Sequence, residues 1–321
     1  MSYKIIYYFC ITYIPIVKMK IRKSYILLLL GVSLLIACGN SYEEQKRISR
    51  AEKLRLAKED SLALKIAVMP TLDCLPVYIM KEQQLYDSTK LDLRLRAFAS
   101  QMDCDTAVIK NRVEGMVTDL VRANRIMNRG IALRYFSVTN SYWQLIANRT
   151  ARIRQLNQLG DKMVAMSRFS ATDYLTDKAL DTVKTKAQVF RIQINSVNIR
   201  LHMLLNNEMD ALWLTEPQAT KARLMGHNVI ADSREMNAQL GVFVFRESSI
   251  RDARRQQQLK AFTEGYNAAC DSINKNGVQA YSELIKKYMK ADEKTVKALP
   301  KMDFKHVNSP LQSDINKVKD F

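Results

Sequence analysis

The chain is short of the residues from which most enzyme and metal centres are built. Three histidines occur in 321 residues, His202, His227 and His306, and none has a cysteine, serine or carboxylate nearby in a nucleophile or metal pattern. The five cysteines form no CxxC pair and no Cys/His spacing that would hold zinc. No metal, no cofactor and no catalytic residue is therefore expected. No internal repeat at a fixed period is visible. Acids are scarce as well: 50 lysines and arginines face 32 aspartates and glutamates, for a formal charge of +18. The basic residues are scattered over all the predicted helices and are not massed with aromatics into one patch. That pattern favours a solvated basic surface near anionic lipid over nucleic-acid binding.

What is present begins with a leader. Lys20, Arg22 and Lys23 precede an apolar run over 26–36, which is about eleven residues long and too short to span a bilayer. Leu35-Ile36-Ala37-Cys38-Gly39 follows. The order of charge, apolar run, small residues and cysteine resembles a bacterial lipoprotein signal. The resemblance implies cleavage before Cys38, acylation of its thiol, and a mature chain held outside the cytoplasm on a membrane surface. A second apolar run over 5–17 is cut off by Lys18 to Lys23, so Met19 is the more natural start. The leader carries five basic residues and no acid, which leaves about +13 on the roughly 284 residues from Cys38 onward. That length suits two lobes.

Residues 41–62 are dense in charge of both signs and contain no Gly or Pro, as expected of a partly helical, solvated tether. From Leu64 the pattern becomes strand–helix alternation. Strands are expected at 64–69, 91–97, 115–117, 133–138 and 142–147. A second run places strands at 162–166, 188–194 and 211–214, and a last one at 240–245. Helices are expected at 75–84, 106–110, 120–128, 153–159, 171–183 and 197–206, and from 217 to Gly226. From 248 the chain is helical, broken at Gly277 and Pro300. Such alternation implies an α/β fold with parallel sheets. Two such runs suggest two lobes: 64–142, 143–236, and a return to the first lobe over 237–321.

Four segments, in order, carry a resemblance. They are Lys65-Ile66-Ala67-Val68-Met69-Pro70-Thr71-Leu72, Val113 through Ala123 (VEGMVTDLVRA), Gly160 through Ser170 (GDKMVAMSRFS) and Leu205 through Pro217 (LNNEMDALWLTEP). Together they are similar to the periplasmic substrate-binding proteins of ABC importers, within the subgroup for sulfonates, taurine, nitrate-like anions and thiamine-pyrimidine precursors. The resemblance implies a type 2 periplasmic-binding-protein fold, each lobe a parallel-rich sheet flanked by helices, with a ligand clamped between the lobes. It implies a non-enzymatic monomer that binds a small molecule and partners an ABC permease. Two other classes stay open: an enzyme of the same fold, and an envelope sensor or scaffold. The thiamine-pyrimidine synthases of this fold carry a cysteine-rich motif that is absent here.

In open parallel sheets ligands sit beyond the carboxyl ends of the strands, near helix N-termini that favour anionic or polar groups. The loops there supply the candidate ligand contacts. Leu72, Asp73, Met102, Thr118, Asp119 and Asn140 come from the first run. Arg168, Phe169, Ser170, Thr172, Asn195, Trp213 and Glu216 come from the second. Ser170, Thr172 and Asp119 are also good helix caps. Arg168 suits a bidentate anion contact or solvent. Trp213 suits the core or a stacked ligand, and Glu216 a helix start or a cation in the cleft. Of Tyr142 and Trp143, strand alternation lets one face the cleft. Cys74 and Cys104 follow the first two strands at the same end of one sheet, where an oxidising compartment permits a disulfide. Such a bridge would close about thirty residues and contribute on the order of 3–4 kcal/mol. Cys270 is expected to stay free.

Overall fold

The structure, a computed structural model, describes residues 42–319 and 321. The leader, Cys38 and the proposed lipid site lie outside the described residues. Helix α1 (Tyr42–Leu62) belongs, up to Ser61, to a first unit. From Lys46 to Lys58 its side chains are exposed, and Arg55 pairs with Glu52 and Glu59 one turn away on either side. No helix among the described residues is long and apolar enough to cross a membrane.

The second unit, from Leu62 to Phe321, holds two five-stranded sheets. The first contains β1 (Leu64–Val68), β2 (Leu93–Ala97), β3 (Gly115–Asp119), β4 (Leu133–Val138) and β10 (Gly241–Arg246), in the order β2-β1-β3-β10-β4. The second contains β5 (Gln144–Ala147), β6 (Met163–Met166), β7 (Phe190–Gln193), β8 (Ala211–Leu214) and β9 (Asn228–Asp232), in the order β7-β6-β8-β5-β9. In each sheet four strands run one way and a single strand, β10 or β5, runs against them. The inner strands β1, β3 and β8 are buried along their whole length, and apart from Lys65 and the terminal Thr118-Asp119 they are built of apolar residues and glycine. The edge strand β2 alternates, and Arg94 and Arg96 blunt its open side.

Helices cover both sheets. Around the first lie α2 (Leu75–Glu82), α3 (Gln101–Ile109), α4 (Leu120–Met127) and the long α8 (Ala253–Asn276). Around the second lie α5 (Ala171–Asp181), α6 (Val197–Leu205) and α7 (Gln218–Leu224). The C-terminal part adds α9 (Ser282–Met289), α10 (Glu293–Lys297) and α11 (Gln312–Lys317). Phe136 packs edge-on against Phe243 and Phe245, each at 5.2 Å, and against Phe262 at 5.5 Å, so that β4, β10 and α8 share one aromatic core. Beneath the same sheet Glu114 is buried with two cations. It lies 3.6 Å from Lys65 Nζ and 3.4 Å from Arg255 Nη2, and accepts a bond from the Lys65 backbone at 2.7 Å.

The chain crosses between the sheets twice, over 139–143 and 233–240, and the two crossings are tied together. Thr139 N donates to Gly241 O at 2.9 Å, Gln239 Nε2 to Thr139 O at 2.6 Å, and Trp143 N to Ser233 Oγ at 2.9 Å. Gly241 is required there: a Cβ would lie 2.4 Å from Thr139 Oγ1 and 2.6 Å from Ser141 Cβ.

Several expected boundaries moved. The helix expected at 106–110 starts at Gln101, because Ser100 caps it and accepts from Asp103 N at 3.3 Å. The helix expected at 153–159 is one 3-10 turn, Leu156–Leu159. Strand β9 was not anticipated. The expected disulfide is absent: Cys74, Cys104 and Cys270 are three buried free thiols. Cys74 Sγ is turned inward to accept from Met69 N at 3.3 Å, and Cys104 lies on the buried side of α3.

Candidate functional site

The C-terminal ends of β1, β3, β6, β7 and β8 converge on one cleft, and the loops that follow them close it. The loops after β3, β6 and β7 enter their helices through polar caps. Asp119 Oδ1 accepts from Arg122 N at 2.9 Å, Ser170 Oγ from Thr172 N at 3.1 Å, and Ser196 Oγ from Ile199 N at 3.4 Å. The two halves touch across the cleft. Leu72 N donates to Glu216 O at 2.9 Å and Gln218 Nε2 to Pro70 O at 2.9 Å. Ser100 and Ser196 form an antiparallel bridge. Asn195 Nδ2 lies 3.0 Å from Met102 Sδ, and the Arg125 guanidinium sits 3.6 Å over the Phe169 ring.

Between these contacts is a cavity of about 70 Å³. A single water centre needs roughly 10–15 Å³, so the scale is that of a small molecule. Asp73, Thr118, Asp119, Ser170, Thr172 and Asn195, all singled out in the sequence, line it. So do Trp143, one of the two aromatics offered for the cleft, and residues that the sequence did not mark, chiefly Arg122, Arg200, Gln101 and Ser141. One signal for the arginines existed. Both stand in the first turn of a helix, where a cation opposes the helix dipole and needs another reason to be there.

The remaining named residues lie elsewhere. Leu72 is core, and reaches the opposite half through its backbone N–H. Met102 is half-exposed on α3. Asn140 is in the first crossing, with its side-chain nitrogen buried and unpartnered. Arg168 is exposed, as the neighbouring cap Ser170 turns the chain there, and Phe169 sits on the rim beneath Arg125. Trp213 belongs to the core, since its Nε1 donates to Thr176 Oγ1 at 2.9 Å behind the sheet. Glu216 is buried and fully engaged: it accepts from Tyr142 Oη at 2.7 Å, Arg223 Nη2 at 2.7 Å and Thr220 N at 2.9 Å. That bond also turns Tyr142 away, leaving Trp143 to line the cavity.

The electrostatics of the cavity are unusual. Arg122 is 4% exposed, and Asp105 takes its Nη1 at 2.5 Å. Its Nε and Nη2 are buried without a hydrogen-bond partner, with Asp119 Oδ2 at 3.8 Å from Nε. This is the edge with which Arg134 clamps Glu247 on the surface, at 2.9 and 2.7 Å. Thr118 Oγ1 and Asp73 Oδ1 are also buried and unpartnered. Arg200 donates to Trp213 O at 2.9 Å, Ile194 O at 2.6 Å and Ser167 Oγ at 3.2 Å, and among the described residues it has no carboxylate partner. Burial, helped by the Arg122 charge, brings its pKa down to about 10. Burial pushes Asp119 up to about 6 against the pull of Arg122, and raises Asp73 against its bond from Ser141 at 2.5 Å. Buried polar groups in native proteins are nearly always paired with protein or water, and Asp73, Thr118 and Arg122, each with an orphaned atom, line this one cavity. No cluster of three His, Cys, Asp or Glu suited to a metal occurs among the described residues.

No family model and no curated protein matches the chain. Solved structures do match. The ligand-binding component of an ABC-type import system from Staphylococcus aureus, solved with zinc bound, aligns with a TM-score of 0.66 at 15% identity over 80% of this chain and 89% of that one. The periplasmic aliphatic sulphonate binding protein SsuA from Escherichia coli aligns at 0.62 and 16%, over 80% and 84%. The periplasmic nitrate-binding protein NrtA from Synechocystis aligns at 0.63 and 11%, over 78% and 74%. The chain has the two-lobed α/β periplasmic-binding-protein fold.

Proposed function

We propose that this chain is an extracytoplasmic solute-binding protein, anchored through Cys38, that holds a small anionic solute in the cleft and delivers it to an ABC permease. In this reading 1–37 is the leader and 38–63 the tether. Residues 64–142 with 237–321 form one lobe and 143–236 the other, and the lobes close over the ligand. The observation that carries the reading is the unpartnered Nε/Nη2 edge of buried Arg122, in a cavity that both halves line. A side-on guanidinium edge matches an anion that offers two oxygens. Thr118 and the uncompensated charge of Arg200 support the same assignment. The folds of sulphonate- and nitrate-binding components of importers agree with it.

The test is calorimetry on residues 38–321 with nitrate, methanesulfonate and small carboxylates, on the wild type and on Arg122→Ala and Arg200→Ala. Binding lost in both variants, one from each lobe, supports the clamp. Conversion of any hit to product would transfer the chain to the enzyme class.

A further inference from the structure

Resting on the anion reading above, we infer that the cleft takes up its anion together with one proton, held between Asp119 and the ligand. The geometry sets the condition. Arg122 Nε is the donor an anion oxygen would use, and Asp119 Oδ2 already lies 3.8 Å from that nitrogen. The second carboxylate oxygen, Oδ1, is committed to the Arg122 backbone, so the group cannot swing away without uncapping α4. An anion seated on the Nε/Nη2 edge therefore brings an unprotonated oxygen toward an ionised carboxylate that is itself buried. Two like charges brought together there disfavour each other's ionised form; a proton on one of them turns the repulsion into a hydrogen bond. The proton comes from solvent and no bond other than O–H is made or broken.

The charged surroundings favour placing that proton on Asp119. On its own helix stand Arg122 and Arg125. Asp105 faces it from α3, already bound to Arg122 Nη1. Asp73 lines the cavity from the turn Leu72–Cys74, and its Oδ2 is held by Ser141. Arg200 lines it from α6, and Asp173 on α5 is held by the Phe169 N–H and Arg191. Asp105 takes the far end of the Arg122 guanidinium, while Asp119 Oδ2 lies 3.8 Å from Nε on its open edge. Burial, with the Asp105 charge beside it, holds Asp119 up at about 6, against the Arg122 charge and the backbone N–H groups of Arg122 and of Ala171 at the start of α5.

The experiment uses nitrate and methanesulfonate, which stay ionised across the range. Titration calorimetry from pH 5 to 8, in pairs of buffers of different ionisation enthalpy, measures affinity and protons taken up. The expected result is affinity that rises as pH falls, by up to tenfold per unit, and levels off below about 6, with close to one proton taken up near pH 7. Asp119→Asn, which keeps a good helix cap, should bind with affinity independent of pH and take up no proton. Asp73→Asn should keep the wild-type slope. Affinity flat within twofold in the wild type, zero proton uptake, or a full slope surviving in Asp119→Asn would overturn the proton linkage and leave the anion site standing. If Asp119→Asn fails to fold, the wild-type proton count alone decides. No binding of either anion at any pH would overturn both readings.

Discussion

The guanidinium carbon of Arg125 lies 3.6 Å over the ring of Phe169, and the two residues belong to opposite sides of the cleft. Phe169 holds a left-handed backbone, φ 55°, which few aromatic residues adopt; its N–H is pinned by Asp173 at 2.8 Å. The contact joins the two halves without lining the cavity. Arg125→Ala or Phe169→Ala is therefore expected to speed ligand dissociation about two- to fivefold, from a cation–π contact of ~0.5–1 kcal/mol. Stopped-flow release of a bound anion measures it. An unchanged release rate in both variants would remove the latch from the account.

Three buried free thiols replace the expected bridge. Burial raises all of them, and Cys270 reaches about 12, so the native protein should react slowly with thiol reagents. Unfolded without reductant, residues 42–321 should release three reactive thiols. One thiol would mean that Cys74 and Cys104 had joined after all.

The paired crossings leave no room for a side chain at Gly241. Gly241→Ala should cost about 1–3 kcal/mol by overpacking and lower the melting temperature by several degrees. Differential scanning calorimetry decides; an unchanged transition would mean that the crossings are loosely held.

Asp119 also predicts a pH dependence of stability without ligand. Its folded pKa is raised from 3.8 to about 6, so the folded state holds the proton more tightly than the unfolded chain. The contribution is complete below about 3.8 and is lost as pH rises through about 6. It amounts to at most about 3 kcal/mol at 1.36 kcal/mol per unit. In urea unfolding at pH 4 and pH 7, Asp119→Asn should lose less stability over that interval than the wild type. A larger loss in the variant would reverse the sign.

The alternation of strands and helices was legible because β1, β3 and β8 are buried along their whole length and are mostly apolar. Strand β9 was not, because Asn228-Val-Ile-Ala-Asp232 is a short edge strand whose partner β5 lies about eighty residues earlier. The caps Asp119 and Ser170 could be placed from local grammar, and with them part of the rim of the cleft. The direction of a side chain could not. Trp213 turned to Thr176 and Glu216 to Tyr142 and Arg223, partners set by tertiary packing. Arg122 and Arg200 looked like two more cations of a basic chain, and gained meaning once the sheets brought their helix starts to one cavity.

The central claim is that Arg122 holds an anion between the lobes. Its most direct test is mass spectrometry of small molecules released from residues 38–321, purified from an envelope fraction without refolding. One small anion per wild-type chain and none from Arg122→Ala is the expected result. The same molecule recovered equally from both, or no anion from the wild type, would contradict it.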